Sequence, residues 1–274
     1  MHFVTRFAPS PTGHLHLGHA FAALTVWDAA REAGGHAILR IEDIDRIRAR
    51  PEYEQSIYED MEWLGLTWPE PVRRQSDHMA DYEAALAKLR GQGLLYRCFQ
   101  TRRELMEAAA NAPHGAEMPF HGGPAVDEEE RLARGEAFAW RLNLKAAREK
   151  LGAAYNELTY TDETGAHDAQ PDKAGDVVLS RKDVGVAYHL AATVDDALQG
   201  ITHVIRGDDL REAVHVQRLL QALLDLPTPL YHHHKMISGP DGQRLAKRSG
   251  AESLRDLRES GVTPEEIRRM VGLT

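Results

Sequence analysis

The sequence predicts an α/β protein: a Rossmann-like parallel sheet, split in its middle by an inserted α+β lobe and followed by a small helical end. Three observations carry that reading. The first forty-five residues alternate strand, helix and strand. Patterning then weakens from Ala112 to about Gly185, where His114, Gly115, Pro119, Gly122, Gly123 and Pro124 make a loop-rich stretch. It returns from Val186 as short β-type runs around a helix.

The elements follow in order. Phe3 to Ala8 is a β-type run, broken by Pro9, Pro11 and Gly13. From His16 the chain reads as a helix through Ala20, Ala23, Leu24 and Trp27, and Gly34-Gly35 stops it. Ala37 to Ile41 is the next strand, so the opening is a βαβ unit. Pro51 opens a helix that ends just before Gly65. Asp77 to Leu89 is another, with Gly91 and Gly93 behind it. Thr101-Arg-Arg-Glu104 reads as a capping box for a short helix to about Asn111. Phe138 to Leu142 and Asp176 to Leu179 are strands of the insert. Regular patterning resumes with Val186 to Val194 and Thr202 to Arg206. A helix from Leu210 to Leu226 and a strand from Tyr231 to Ile237 follow. Two short helices close the chain, near Ser253–Ser260 and Pro264–Val271.

A chain of 274 residues can bury a substantial core. With 42% hydrophobic and 27% charged residues it is neither collagenous, low-complexity nor a disulfide scaffold. Its single cysteine, Cys98, fits a reducing compartment. The longest mostly apolar stretch, Ala20 to Ala30, is broken by Asp28 and too short to span a bilayer, and the first ten residues lack a signal pattern. A cytoplasmic protein with no membrane partner is expected. Net charge is −9, and residues 51–130 account for all of it with 16 acidic against 7 basic side chains. An acidic lobe on a neutral body can still present a basic face to a polyanion.

The segment richest in chemistry is Arg6-Phe-Ala-Pro-Ser10-Pro-Thr-Gly-His-Leu-His16-Leu-Gly18-His19. It lies where the first strand gives way to the first helix, on the ligand side of a doubly wound sheet. Unsatisfied N–H groups at a helix start favour an anion, Gly18 lets the backbone come close, and His16 and His19 add two imidazole donors. No Walker lysine motif and no GxGxxG occurs there. An HExxH zinc helix also fails, because Leu17 and Gly18 follow His16.

This segment resembles the HIGH signature of class I aminoacyl-tRNA synthetases, and its context, RFAPSPTGHLHLGHA, is similar to the glutamyl subgroup. About 225 residues later, Arg244-Leu-Ala-Lys247-Arg248 resembles the KMSKS loop. Arg244 stands where the first lysine is expected and Ala246 where the serine is. Arg40-Ile-Glu42-Asp-Ile-Asp45 and Val204-Ile-Arg206-Gly-Asp-Asp209 also match. The resemblance implies a class I synthetase architecture. Its nucleotide-binding halves are 1–95 and 186–237, its acceptor-type insert 96–185, and its KMSKS-like loop and helical tail 238–274.

The implied reaction is ligation: L-glutamate and ATP, with Mg2+ bridging phosphates, give glutamyl adenylate, and the glutamyl group passes to tRNA. An anionic carboxylate attacks an anionic phosphate, so the site must neutralise charge and align the groups. By resemblance His16, Gly18, His19 and Lys247 hold ATP, with His16, His19 and Lys247 as the catalytic set. Arg6, Phe7, Ala8, Pro9, Ser10, Glu42, Tyr188 and Arg206 contact glutamate. Glu42 suits the substrate ammonium, and Arg206 can give its side-chain carboxylate a bidentate fork.

Small relatives carry a Cys-x-Cys, a Tyr and a further Cys that hold zinc in the insert. Only Cys98 survives here, Phe120 stands at the tyrosine position, and His114 and His121 do not complete four ligands, so no zinc is expected. His232-His233-His234 in a strand would point to alternate faces and cannot converge on a metal. The given sequence runs 26 residues past Arg248, and an anticodon-binding domain is not expected. It therefore resembles the truncated glutamyl-queuosine tRNA(Asp) synthetases, which attach glutamate to the queuosine base in the anticodon loop. The expected partners are L-glutamate, ATP and queuosine-bearing tRNA(Asp), with the protein acting as a monomer. Two alternatives stay open: a compact synthetase charging a tRNA 3′ end, and a catalytically silent paralogue that binds nucleotide or RNA.

Overall fold

A computed structural model describes residues 2–101, 104, 120–181, 185–237 and 252–273. Strand β1 (Val4–Phe7) runs into the proline-rich turn and helix α1 (Leu17–Glu32). Ala20, Phe21, Ala23, Leu24, Val26 and Ala30 give α1 a buried face. Its end is fixed by glycines for two different reasons. Gly34 takes a left-handed φ of 63°, and a Cβ on Gly35 would stand 2.1 Å from the carbonyl oxygen of Phe3. Strand β2 (His36–Ile41) then pairs in parallel with β1, Arg6 opposite Ile38. Helix α2 (Pro51–Trp63), the two-residue strand β3 (Arg73–Arg74) and helix α3 (Met79–Gly91) follow, with β3 parallel to β2.

The insert opens with β4 (Leu95–Cys98), continues through α4 (Glu128–Ala133), and returns as β5 (Ala139–Leu142). Helices α5 (Leu144–Leu151) and α6 (Ala153–Asn156) precede a hairpin of β6 (Thr159–Asp162) and β7 (Gly165–Asp168). Strands β8 (Val178–Arg181) and β9 (Gly185–Val186) complete a four-stranded antiparallel sheet in the order β4-β5-β8-β9. Asp176, expected to start a strand, instead precedes β8 as a buried junction. Its carboxylate accepts from Tyr96 Oη at 3.0 Å, Gly122 N–H at 2.8 Å and Leu144 N–H at 3.1 Å.

The parallel sheet resumes after helix α7 (Tyr188–Leu198), with β10 (His203–Gly207), helix α8 (Ala213–Leu224) and β11 (Leu230–His234). β10 and β11 are parallel, and β10 lies beside β1, where the Thr202 N–H reaches the Val4 carbonyl at 3.0 Å. The order across the domain is thus β3-β2-β1-β10-β11, with residues from both halves of the chain side by side. Three boundaries differ from expectation. Val186–Val194 divides into a short strand and a helix, residues 208–210 form a separate 3₁₀ turn before α8, and β11 stops at His234. Asp208 and Asp209 bend the chain there before the apolar periodicity of α8 begins.

Helices α9 (Leu254–Glu259) and α10 (Pro264–Met270) start at reciprocal capping boxes, Ser253 with Asp256 and Thr263 with Glu266. Leu254, Leu257, Ile267 and Val271 join the core formed by α1 and the first strands. Arg268 on α10 ties to Asp28 on α1 at 2.6 Å. The tail is therefore part of the core around α1. No described helix is long and apolar enough to cross a membrane.

Candidate active site

The carboxyl ends of β1, β2 and β10 meet at one edge of the sheet, beside the start of α1. His16 is the N-cap of α1, and its Nδ1 accepts the Gly18 N–H at 3.1 Å. His19 returns the contact: its Nδ1 accepts the His16 backbone N–H at 3.2 Å. The two imidazoles thus replace the Ser and Glu of an ordinary capping box, with ring centroids 3.9 Å apart. With Nδ1 accepting, a singly protonated ring at either position carries its proton on Nε2. Of the neighbouring turn residues, Phe7 buries its ring in the core, the Pro9 carbonyl accepts from Glu42 N–H at 3.0 Å, and Ser10 is exposed.

A buried charge network lies beneath this turn. Asp196, near the end of α7, accepts from Arg6 Nε at 2.9 Å and Arg40 Nη2 at 2.8 Å. Asp195 accepts from Arg73 at 2.7 Å, Gln75 at 2.8 Å and the Tyr82 hydroxyl at 2.9 Å. Burial alone would lower the Arg40 pKa, but Asp196, Glu42 and Asp195 outweigh it and hold it above its ordinary value. Burial would likewise raise Asp196, and Arg6 and Arg40 overcome this and hold it low. Glu42 goes the other way. Burial raises its pKa, and Arg40, 3.4 Å away, does not fully compensate. A carboxylate in that position gains from a second cation.

Arg206 is the complementary case. It is 5% exposed, and its Nε donates to His233 Nε2 at 3.2 Å and its Nη1 to Gln217 Oε1 at 2.8 Å. Its Nη2 is buried with no hydrogen-bond partner. Among the described residues no carboxylate lies within ion-pair distance of it. It also lies over the face of Tyr231, 5.4 Å from the ring centroid. A buried guanidinium held only by neutral groups is costly without an anion. Tyr188 opens α7 nearby. Burial raises its pKa, while Arg206 and Arg6 pull it down and Glu42 pushes it up. Burial and the Arg206 charge push the adjacent His189 down to about 4, which keeps it neutral.

Residues 2–274 match the sequence model of the family described as tRNA synthetases class I (E and Q), catalytic domain. The chain belongs to this family. A glutamyl-Q tRNA(Asp) synthetase of Rhodobacter capsulatus is 46% identical, the alignment covering 98% of this chain and 100% of that protein. One from Symbiobacterium thermophilum is 43% identical over 96% of this chain and 83% of its own length. The crystal structure of an Elizabethkingia meningosepticum glutamate tRNA ligase in complex with its amino acid superposes with a TM-score of 0.74 at 27% identity. That match covers 95% of this chain and 53% of that one.

Within the family frame, the structure brings Arg6, Ala8, Glu42, Tyr188, Arg206, His16, Gly18 and His19 to one edge of the sheet. Lys247, Arg244, Ala246 and Arg248 lie outside the described residues, as does His114. The flanks of their segment are described. The backbone of Ser253 bridges to that of His16, and Leu254 N–H donates to the Leu15 carbonyl at 2.8 Å. On the other flank, His234 sets its ring 5.1 Å from that of Phe21 on α1. Sequence reasoning missed Asp195, Asp196, Gln217 and His233. Only the first two left a signal: paired acids inside the apolar run Ala191-Ala-Thr-Val-Asp-Asp. In the insert Cys98 is buried, and no group of three or more ligating side chains occurs among the described residues. Of the histidine run, His232 is exposed whereas His233 and His234 are buried.

Proposed function

We propose that the protein activates L-glutamate with ATP and transfers the glutamyl group to the queuosine base in the anticodon loop of tRNA(Asp). The observation that carries the substrate is Arg206, a buried cation with a vacant donor and no carboxylate partner among the described residues. The glutamate side-chain carboxylate would accept from Nη2 and neutralise it. Glu42, raised by burial and short of a cation, takes the substrate ammonium. Arg6 and Arg40 shape this floor through Asp196 and do not themselves need an anion. A substrate with an ammonium at one end and a carboxylate at the other answers both charges.

Held this way, the α-carboxylate faces the start of α1. ATP enters as its magnesium complex, and no acidic cluster among the described residues competes for that ion. An α-carboxylate oxygen attacks the α-phosphorus in line. The new O–P bond forms as the bond to the β-phosphate bridging oxygen breaks, and pyrophosphate leaves. The Nε2–H groups of His16 and His19, with the helix terminus, stabilise the charge that builds on the phosphates. Lys247 supplies a cation to the departing pyrophosphate. It lies six positions before Ser253, whose backbone is bridged to His16, so an extended chain reaches at most about 20–22 Å from that bridge. In the second step a hydroxyl oxygen of the modified base attacks the acyl carbon, the bond to AMP breaks, and the hydroxyl proton leaves to solvent.

The choice of acceptor rests on the two relatives named glutamyl-Q tRNA(Asp) synthetase. Labelled glutamate offered with tRNA(Asp) carrying or lacking queuosine tests it. Transfer is expected only with queuosine. Transfer that ignores the modification, or that survives removal of the anticodon loop, would overturn the reading. Absence of glutamate-dependent pyrophosphate exchange would point to a silent paralogue.

A further inference from the structure

Just past Glu42 the chain forms an exposed loop, Asp45-Arg46-Ile47-Arg48-Ala49-Arg50, before α2 begins at Pro51. Two backbone hydrogen bonds fasten it to the turn before α1: Glu42 N–H to Pro9 and Arg50 N–H to Pro11, each 3.0 Å. The loop therefore stands at the mouth of the site, carried by the same backbone that holds the histidines.

Two of its three guanidiniums make no ion pair among the described residues. Arg48 pairs with Asp45 at 2.6 Å. Arg50 turns its Nη1 onto two carbonyls of its own loop, Ile47 at 2.7 Å and Ala49 at 2.9 Å, and makes no ion pair among the described residues. Arg46 is exposed and likewise makes none. The acids behind them are engaged. Asp43 accepts from Ser76 at 2.6 Å, Glu54 pairs with Arg74 at 2.9 Å, and Asp77 lies 3.6 Å from Arg74. Between the cations Ile47 is 67% exposed. A hollow of about 340 Å³ lies beside them, bordered by Arg46, Arg50 and Arg74 and by the engaged acids Asp43, Glu54 and Asp77.

Two unpaired guanidiniums flanking an exposed isoleucine suit a ligand that offers both anions and apolar faces. RNA does so: phosphates accept from arginine, and a splayed base or a ribose covers an aliphatic side chain. A chain of net charge −9 also repels a polyanion at long range, so it needs local cations where the strand arrives. A small anion would leave Ile47 uncovered. We infer that Arg46, Ile47 and Arg50 form the docking point for the RNA strand that brings the acceptor hydroxyl to the adenylate. This deepens the reading above and rests on a tRNA being the acyl acceptor.

The test uses the full chain and queuosine-bearing tRNA(Asp). Binding is measured across salt concentrations for the unmodified protein, for Arg46→Ala/Arg50→Ala and for Ile47→Ser. Pyrophosphate exchange is followed at saturating tRNA. Loss of two phosphate contacts should weaken binding about tenfold near 0.1 M salt and reduce the log–log salt slope by about 1.4–1.8. Ile47→Ser should weaken binding with the slope unchanged. Exchange should persist in both variants, which also shows that they fold. Variants that bind within about twofold of the unmodified protein at an unchanged slope overturn the docking point, as does loss of exchange. If the unmodified protein binds no tRNA, both readings fall; if it binds and transfers while the variants match it, only the docking point does.

Discussion

Arg206 donates its Nε–H to Nε2 of His233 at 3.2 Å, a cation resting on a neutral ring. Burial and the charge of Arg206 push the His233 pKa down to about 3, so the ring stays an acceptor and keeps its proton on Nδ1. Gln217 does the same from another side at 2.8 Å. The guanidinium is oriented without being neutralised, and its charge is left for a ligand.

Gln217→Glu should undo that arrangement. The substitution is nearly isosteric and sets a carboxylate where Oε1 now stands. A charged hydrogen bond contributes about 1.5–3 kcal/mol, so KM for glutamate should rise about tenfold to a hundredfold. KM for ATP should stay level and thermal stability should hold or increase. Exchange kinetics against glutamate and against ATP check the split.

His19→Asn separates capping from catalysis. The amide oxygen can accept the His16 N–H as Nδ1 does, so the melting temperature should move little. No donor then occupies the Nε2 position, and exchange should fall about 10²–10³-fold. Equal exchange in the variant would remove His19 from the reaction.

Asp196→Asn deprives Arg6 and Arg40 of their shared anion. Removing one partner of such a buried network costs about 3–5 kcal/mol. Urea unfolding at neutral pH should show that loss, with Arg6→Met/Arg40→Met in the variant background recovering part of it.

His189 and His233 make stability acid-sensitive. Both pKa values are pushed down, to about 4 and about 3, by burial and then by Arg206. An unfolded histidine titrates near 6.5, so below that pH the unfolded chain binds more protons and stability falls, down to the folded values. Each ring contributes up to about 1.4 kcal/mol per pH unit in that window. Asp60, raised to about 6 by burial, works in the opposite direction. Comparing His233→Gln with the unmodified protein at pH 7, 5.5 and about 4.5 isolates one ring, and the variant should lose less stability on acidification.

Lys247→Ala should lower adenylate formation strongly while urea unfolding stays unchanged. Full exchange activity in that variant would show that the lysine has no part in the reaction.

How far the sequence could be read depends on how far each residue's partners lie from it. The α1 start was legible because His16, Gly18 and His19 form a local cap, and its end because Gly34 and Gly35 answer local sterics. The tail helices announced themselves through Ser253–Asp256 and Thr263–Glu266. Arg206 and Glu42 come through resemblance, and the geometry adds that Arg206 has a vacant buried donor while Glu42 is only partly offset by Arg40. Asp195 stayed hidden because Arg73, Gln75 and Tyr82 lie more than a hundred residues away in sequence. The insert was hard to read because its strands span two to four residues and its register shifts between Trp140 and Arg141. Asp176 lies outside the strand that its sequence suggests because its partners come from three separate segments, at Tyr96, His121–Gly122 and Leu144.

Asp196 joins Arg6 across 190 positions and Arg40 across 156. At about 5–20 residues per second a ribosome takes roughly ten to forty seconds to cover that span. Throughout that wait the nascent first half carries two guanidiniums whose shared counter-ion has not been synthesised. Its sheet cannot close early, and translation arrested before α7 should release a chain that chaperones or proteases treat as unfinished.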